Sequence, residues 1–201
     1  MHLLDNSPPD ITHHRSVSEE ETSTAVVLAV AEITDVDVLE LSPIYEVLDP
    51  DALDRFFVNE QEGNRDGEAQ IIFPFGNCWI TVRPDDPVTV VPQEDLSDLP
   101  SPSHRGIYHA KHDWTSGSSL SITLLKALKE MSQQCDLTYP EPLTTIIDLD
   151  SLDRLFAPID QDSQRDAGWL SFSVDGYAIT VKASGQIKFA PASRSPAEGR
   201  I

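Results

Sequence analysis

The chain has 201 residues, 39% of them hydrophobic, with 34 acidic against 14 basic side chains and a formal net charge of -20. That apolar content supports a folded core and argues against global disorder. The longest apolar run, Ala25 to Ala31, is too short to span a bilayer and follows no basic leader, so a soluble, unexported protein without membrane association is expected.

The charge is uneven. Residues 1–100 hold 22 acidic and 4 basic groups and no lysine, whereas residues 101–201 hold 12 and 10. An acid-rich, lysine-poor surface suits a salt-adapted cytoplasm, because in molar salt the Debye length falls to roughly 3 Å and like charges cease to repel. Cys78 and Cys135 form no CxxC pair, which leaves neither a disulfide framework nor a zinc site and fits a reducing compartment.

Residues 1–20 show no apolar period and read as a disordered acidic tail. Val26, Val27, Val30 and Ile33 then follow a helical period, and Leu124, Leu125, Leu128 and Met131 repeat it later. The segment Asp49, Pro50, Asp51 reads as an N-cap, a proline at the first helical position and a second acid near the positive helix end. A short second helix is expected there, with Leu53, Phe56 and Phe57 as its apolar side.

This segment declares a tandem repeat. Asp49, Asp51, Leu53, Asp54, Arg55 and Phe57 recur 99 positions later as Asp148, Asp150, Leu152, Asp153, Arg154 and Phe156. Period-two alternation follows in both copies. Ala69, Ile71, Phe73, Phe75 match Gly168, Leu170, Phe172, Val174 on a first strand, and Cys78, Ile80, Val82 match Tyr177, Ile179, Val181 on a second. Val88 and Val90 match Ile187 and Phe189 on a third. Asp175, Gly176 and Gly76, Asn77 read as equivalent hairpin turns, and Gly185 as a left-handed turn residue that Pro84, Asp85, Asp86 replaces in the first copy. The fold class is therefore α+β, with two tandem modules, each two helices followed by a three-stranded antiparallel β-meander. The expected boundaries are 21–91 and 118–191, with 92–117 as a Pro- and Ser-rich linker and 192–201 as a tail.

With these residues in hand, the chain resembles the halobacterial output domain 1 family. The resemblance is carried by Val26, Val27, Ala29 to Glu32, by Leu41 to Tyr45, by Asp49 to Phe57, and by the glycine turn leading to Ile80, Thr81, Val82. The second copy departs from the pattern, with Thr144 in place of Tyr45 and Leu149 in place of Pro50. The resemblance implies a cytoplasmic signalling module acting as an output element, and it brings no catalytic residue or cofactor.

Several clusters carry side chains capable of chemistry. The carboxylates Asp49, Asp51, Asp54, Asp148, Asp150 and Asp153 are explained by helix capping better than by a metal. His104, His109 and His112, with Asp113 close by, are expected in a solvated linker. Ser118, Ser119 and Ser121 read as caps of the second module's first helix. No phosphate loop, catalytic constellation, cofactor site or metal site is expected, and the protein is read as a non-enzyme.

The outward sheet face offers the best binding surface, with Ile72, Trp79 and Thr81 in the first copy and Trp169, Lys182 and Lys188 in the second. Trp169 is expected opposite Lys182. These residues serve either a partner or the packing of the two modules against each other within the chain. The leading function is a signal-transduction output or regulatory protein whose partner is another protein, such as a receiver. The alternative is a nucleic-acid-binding transcriptional regulator using Arg154, Arg165, Lys182, Lys188 and Trp169 of the less acidic second module, against which molar salt weighs through weakened phosphate contacts.

Overall fold

The computed structural model describes residues 13–15, 21–57, 69–84, 88–93, 108–135, 143–159, 165, 167–174 and 176–191. In chain order these form β1 (His13–Arg15), α1 (Thr22–Thr34), α2 (Pro50–Arg55), β2 (Gln70–Phe75), β3 (Cys78–Val82), β4 (Val88–Pro92), β5 (Tyr108–Lys111), α3 (Leu120–Cys135), α4 (Leu149–Leu155), β6 (Trp169–Val174), β7 (Tyr177–Lys182) and β8 (Gln186–Pro191). The turns around Asp85 and Asp86 and at Asp175, together with His104 and most of both expected tails, lie outside the described residues.

Each module forms the expected meander, β2-β3-β4 and β6-β7-β8, with every neighbouring pair antiparallel. The inward residues follow the alternation. Ile71, Phe73 and Phe75 of β2, Ile80 and Val82 of β3, and Val88 and Val90 of β4 are buried with Val26, Ala29 and Val30 of α1 and Leu53 of α2. The second copy repeats this with Leu124, Ala127, Leu128, Met131 and Leu152. Leu125, expected on the apolar stripe of α3, is instead 46% exposed, because a position adjacent to Leu124 is turned by about 100° around a helix.

Two features go beyond the expected plan. His13–Arg15, which fell in the expected tail, pairs with β4, and Tyr108–Lys111, which fell in the expected linker, pairs with β8. Each meander thus gains an outer strand from the segment preceding its first helix. At three and four residues these strands are too short for a two-residue period to stand out from their polar surroundings.

The second feature is the join. The two meanders do not stack face to face. They meet edge to edge through β2 and β6 in one eight-stranded sheet of order β1-β4-β3-β2-β6-β7-β8-β5. Ile71 pairs with Leu170, its own repeat equivalent. Beside this strand pair, α2 and α4 are joined by reciprocal backbone bonds: Asp49 N–H donates to Leu155 C=O at 3.0 Å and Asp148 N–H donates to Phe56 C=O at 2.9 Å. A bridge between Phe57 and Ile147 closes the helix side. Gly168 sits at this seam with φ of 107°, where a Cβ atom would lie 3.1 Å from the Ile72 carbonyl oxygen, so a side chain would press β6 away from β2.

Candidate functional site

The six residues expected to bind a partner share the sheet face turned away from the helices. Register places Thr81, Ile72, Trp169 and Lys182 in one row across β3, β2, β6 and β7. Trp169 lies opposite Lys182, as the Asp175, Gly176 turn led one to expect. Lys188 belongs to the next row, between Thr180 and His109. Trp79 comes from further along β3, opposite Pro74.

The geometry at the centre of this face crosses the seam. The indole of Trp79 from the first module and that of Trp169 from the second approach to 5.6 Å between ring centroids, tilted by 52°. Trp79 and Trp169 are not repeat equivalents, so one aromatic from each copy supplies a pair that the repeat alone would not create. Ile72, next to them on β2, is fully buried although it stands outside the main core. Both indoles keep part of their surface accessible, and Lys182 is exposed.

Charge sets this face apart. On the outward positions of the described strands stand Lys182, Lys188, His109 and Lys111 in the second module and Arg83 at the end of β3, whose guanidinium donates to Gln70 Oε1 at 3.2 Å. No Asp or Glu occupies an outward position of β2 to β8, in a chain whose net charge is -20. Among the described residues the acids stand on helices and on the segments between elements instead.

The repeated carboxylates do structural work. Asp49 accepts from Ala52 N–H at 3.1 Å and Asp148 from Ser151 N–H at 2.7 Å, each capping its own helix as expected. Asp54 and Asp153 act differently from that reading, reaching across to the first helix of their module. Asp54 accepts from Ser23 N–H at 2.7 Å and Ser23 Oγ at 2.9 Å, and Asp153 from Ser121 N–H at 2.6 Å and Ser121 Oγ at 2.7 Å. This two-pronged clamp caps a helix in trans and explains Ser121. An open cleft of about 740 Å³ lies along the α2 and α4 pair, lined by Arg55, Arg154, Asp148 and Asp150 among others. Among the described residues no group of three or more His, Cys, Asp or Glu is arranged to hold a metal ion.

Two residues need correction. His112, expected in a solvated linker, is 2% exposed. Its backbone N–H donates to Gly185 C=O at 2.8 Å, and Trp114, ring to ring at 4.5 Å, donates from Nε1 to Ala183 C=O at 2.9 Å. Thr123 Oγ1 donates to Ser119 C=O at 3.3 Å, which leaves its oxygen to accept from His112 Nδ1 at 2.9 Å. Gly185, left-handed as expected with φ of 82°, allows this docking, since a Cβ atom there would sit 2.4 Å from the His112 carbonyl oxygen. Burial pushes the His112 imidazole below its ordinary pKa, against the upward pull of Asp153 and Asp113.

Arg165, expected in a nucleic-acid patch, is 9% exposed. Its guanidinium donates to Ala157 C=O at 2.5 Å and, across the seam, to Tyr45 C=O at 2.7 Å. Burial lowers its pKa, partly offset by Asp49. Arg154, from the same expected patch, lies on the helix side and donates to Asp49 Oδ2 at 2.9 Å, again between modules. Neither joins Lys182 and Lys188. Sequence reasoning missed the cross-module roles because the partners, Tyr45 and Asp49, lie in the other module, 120 and 105 positions away.

Among the described residues no helix is long and apolar enough to cross a membrane. No curated protein and no solved structure gives a match to this chain. The family model described as halobacterial output domain 1 matches twice, at residues 18–92 and 116–191, one match to each half of the two-fold sheet. Covered over most of its length in this way, the chain belongs to the halobacterial output domain 1 family, as two tandem copies.

Proposed function

We propose that the chain is a non-enzymatic signal-transduction output protein that works in a salt-adapted cytoplasm by binding another protein on the outward face of its sheet. The observation that carries this reading is the contrast between that face and the rest of the chain: a tryptophan from each module, flanked by Lys182 and Lys188, with no acid on the strand positions around them. Aromatic anchors ringed by polar groups are the usual energetic centre of protein interfaces. In molar salt the aromatic anchors supply the affinity, and the cations select acidic partners only at contact distance, by pairing with their carboxylates. A receiver or other acidic signalling protein fits this chemistry.

The phosphate-binding alternative retains Lys182, Lys188 and Trp169 but loses Arg154 and Arg165 to the seam. Four or five cations weaken steeply as counterions fill molar salt. The test is affinity capture in molar potassium chloride with and without nuclease, using wild type and Lys182→Glu as bait. Lys182 is exposed, so its reversal should leave the unfolding midpoint in place while reducing partner recovery about tenfold or more. Trp169→Ala should reduce recovery as well. Capture that survives both variants defeats this reading, and capture abolished by nuclease replaces it with the nucleic-acid one.

A further inference from the structure

The join between the modules is self-complementary. Ile71 and Leu170 occupy the same place in the two copies and pair with each other, so a pseudo-two-fold axis passes between them. The reciprocal bonds from Asp49 to Leu155 and from Asp148 to Phe56 obey the same axis, since each maps onto the other by the repeat. Surfaces that meet their own equivalent in this way are the isologous surfaces from which two-fold dimers are built. Much of the contact is backbone to backbone, which is indifferent to side-chain drift between copies.

We propose that this seam, formed by β2 with α2 in the first module and by β6 with α4 in the second, is a general module-pairing surface whose partner is a second module of the same kind, on this chain or on another. Two molecules can then exchange modules, and a module freed from its tether re-pairs in trans. The inference stands apart from the function proposed for the outward face, because it concerns the sheet edge. In the intact chain the tether holds the second module at an effective concentration in the millimolar range, which favours the closed form over exchange.

Charge breaks the symmetry between the copies and sets the order of preference. Residues 1–100 hold 22 acids against 4 bases and residues 101–201 hold 12 against 10, so two first modules repel each other more than two second modules do. Pairs of second modules therefore form more readily than pairs of first modules.

The experiment uses the full chain with a protease site inserted after Pro100, cut after folding. One preparation bears an affinity tag at its C-terminus and another a carrier protein there, and the two are mixed in molar potassium chloride, unfolded in denaturant and refolded together. The tag is expected to recover carrier-bearing second halves as well as first halves. With the tags moved to the N-terminus and the refolding carried out at low salt, recovery of like halves should fall at least tenfold relative to the C-terminal tag. Recovery of first halves alone by the C-terminal tag, or of neither half, overturns the proposal.

Discussion

At the residue scale, two buried side chains in polar stretches of the sequence, Arg165 and His112, tie distant segments together. Arg165 holds backbone carbonyls of both modules with a buried guanidinium, and hydrogen bonds involving a charged group contribute about 1.5–3 kcal/mol. Arg165→Ala should therefore destabilise the protein by about that amount, and Arg165→Lys should recover only part of it because an ammonium lacks the planar fork. Denaturant midpoints measure both; a loss below about 0.5 kcal/mol, normal at surface sites, would mean the carbonyls find other donors. His112 makes stability depend on pH. Its pKa is lowered in the folded state, so the unfolded chain takes up a proton first as pH falls below about 6.5. The stability of the neutral form is complete above that pH and declines as pH falls towards the folded value. His112→Gln should flatten that decline, measured as the unfolding midpoint against pH, and an unchanged slope would assign it to another group. Neither residue was legible from sequence, since a lone cation and a lone histidine in polar stretches look solvated unless a long-range partner is known.

At the scale of elements, alternation and helix caps were read correctly because their causes are local. The caps at Asp49 and Asp148, the inward strand positions and the turn at Gly76 and Asn77, where Asn77 takes φ of 60°, all follow from neighbours within a few residues. Asp54 and Asp153 were assigned to their own helix for want of tertiary information, and the structure gives them to α1 and α3. Removing an N-cap costs about 0.5–2 kcal/mol. Asp153→Ala and Asp54→Ala should each fall in that range, with helix loss localised by hydrogen exchange to α3 and to α1 respectively. Protection lost instead from α4 or α2 would restore the caps-its-own-helix reading.

At the scale of the whole molecule, the tandem repeat was plain in the sequence but the seam was not. An edge strand and an inner strand have the same alternation, so nothing in β2 or β6 announces that each pairs with the other. The outward face shows the same limit: its membership and the Trp169–Lys182 register were legible, while the meeting of Trp79 with Trp169 required the order of strands. One continuous sheet with a shared core has a consequence for unfolding. The halves should melt in a single transition, with tryptophan fluorescence, which reports the seam through Trp79 and Trp169, coinciding with far-ultraviolet circular dichroism. Because 22 acids face 4 bases in residues 1–100, that shared transition should move upward as potassium chloride screens their repulsion. The second module, closer to neutral, responds to salt chiefly through the seam it shares with the first. Both modules should therefore respond to salt together, and two separated transitions with only the first moving would show that the seam transmits little of the first module's stability to the second.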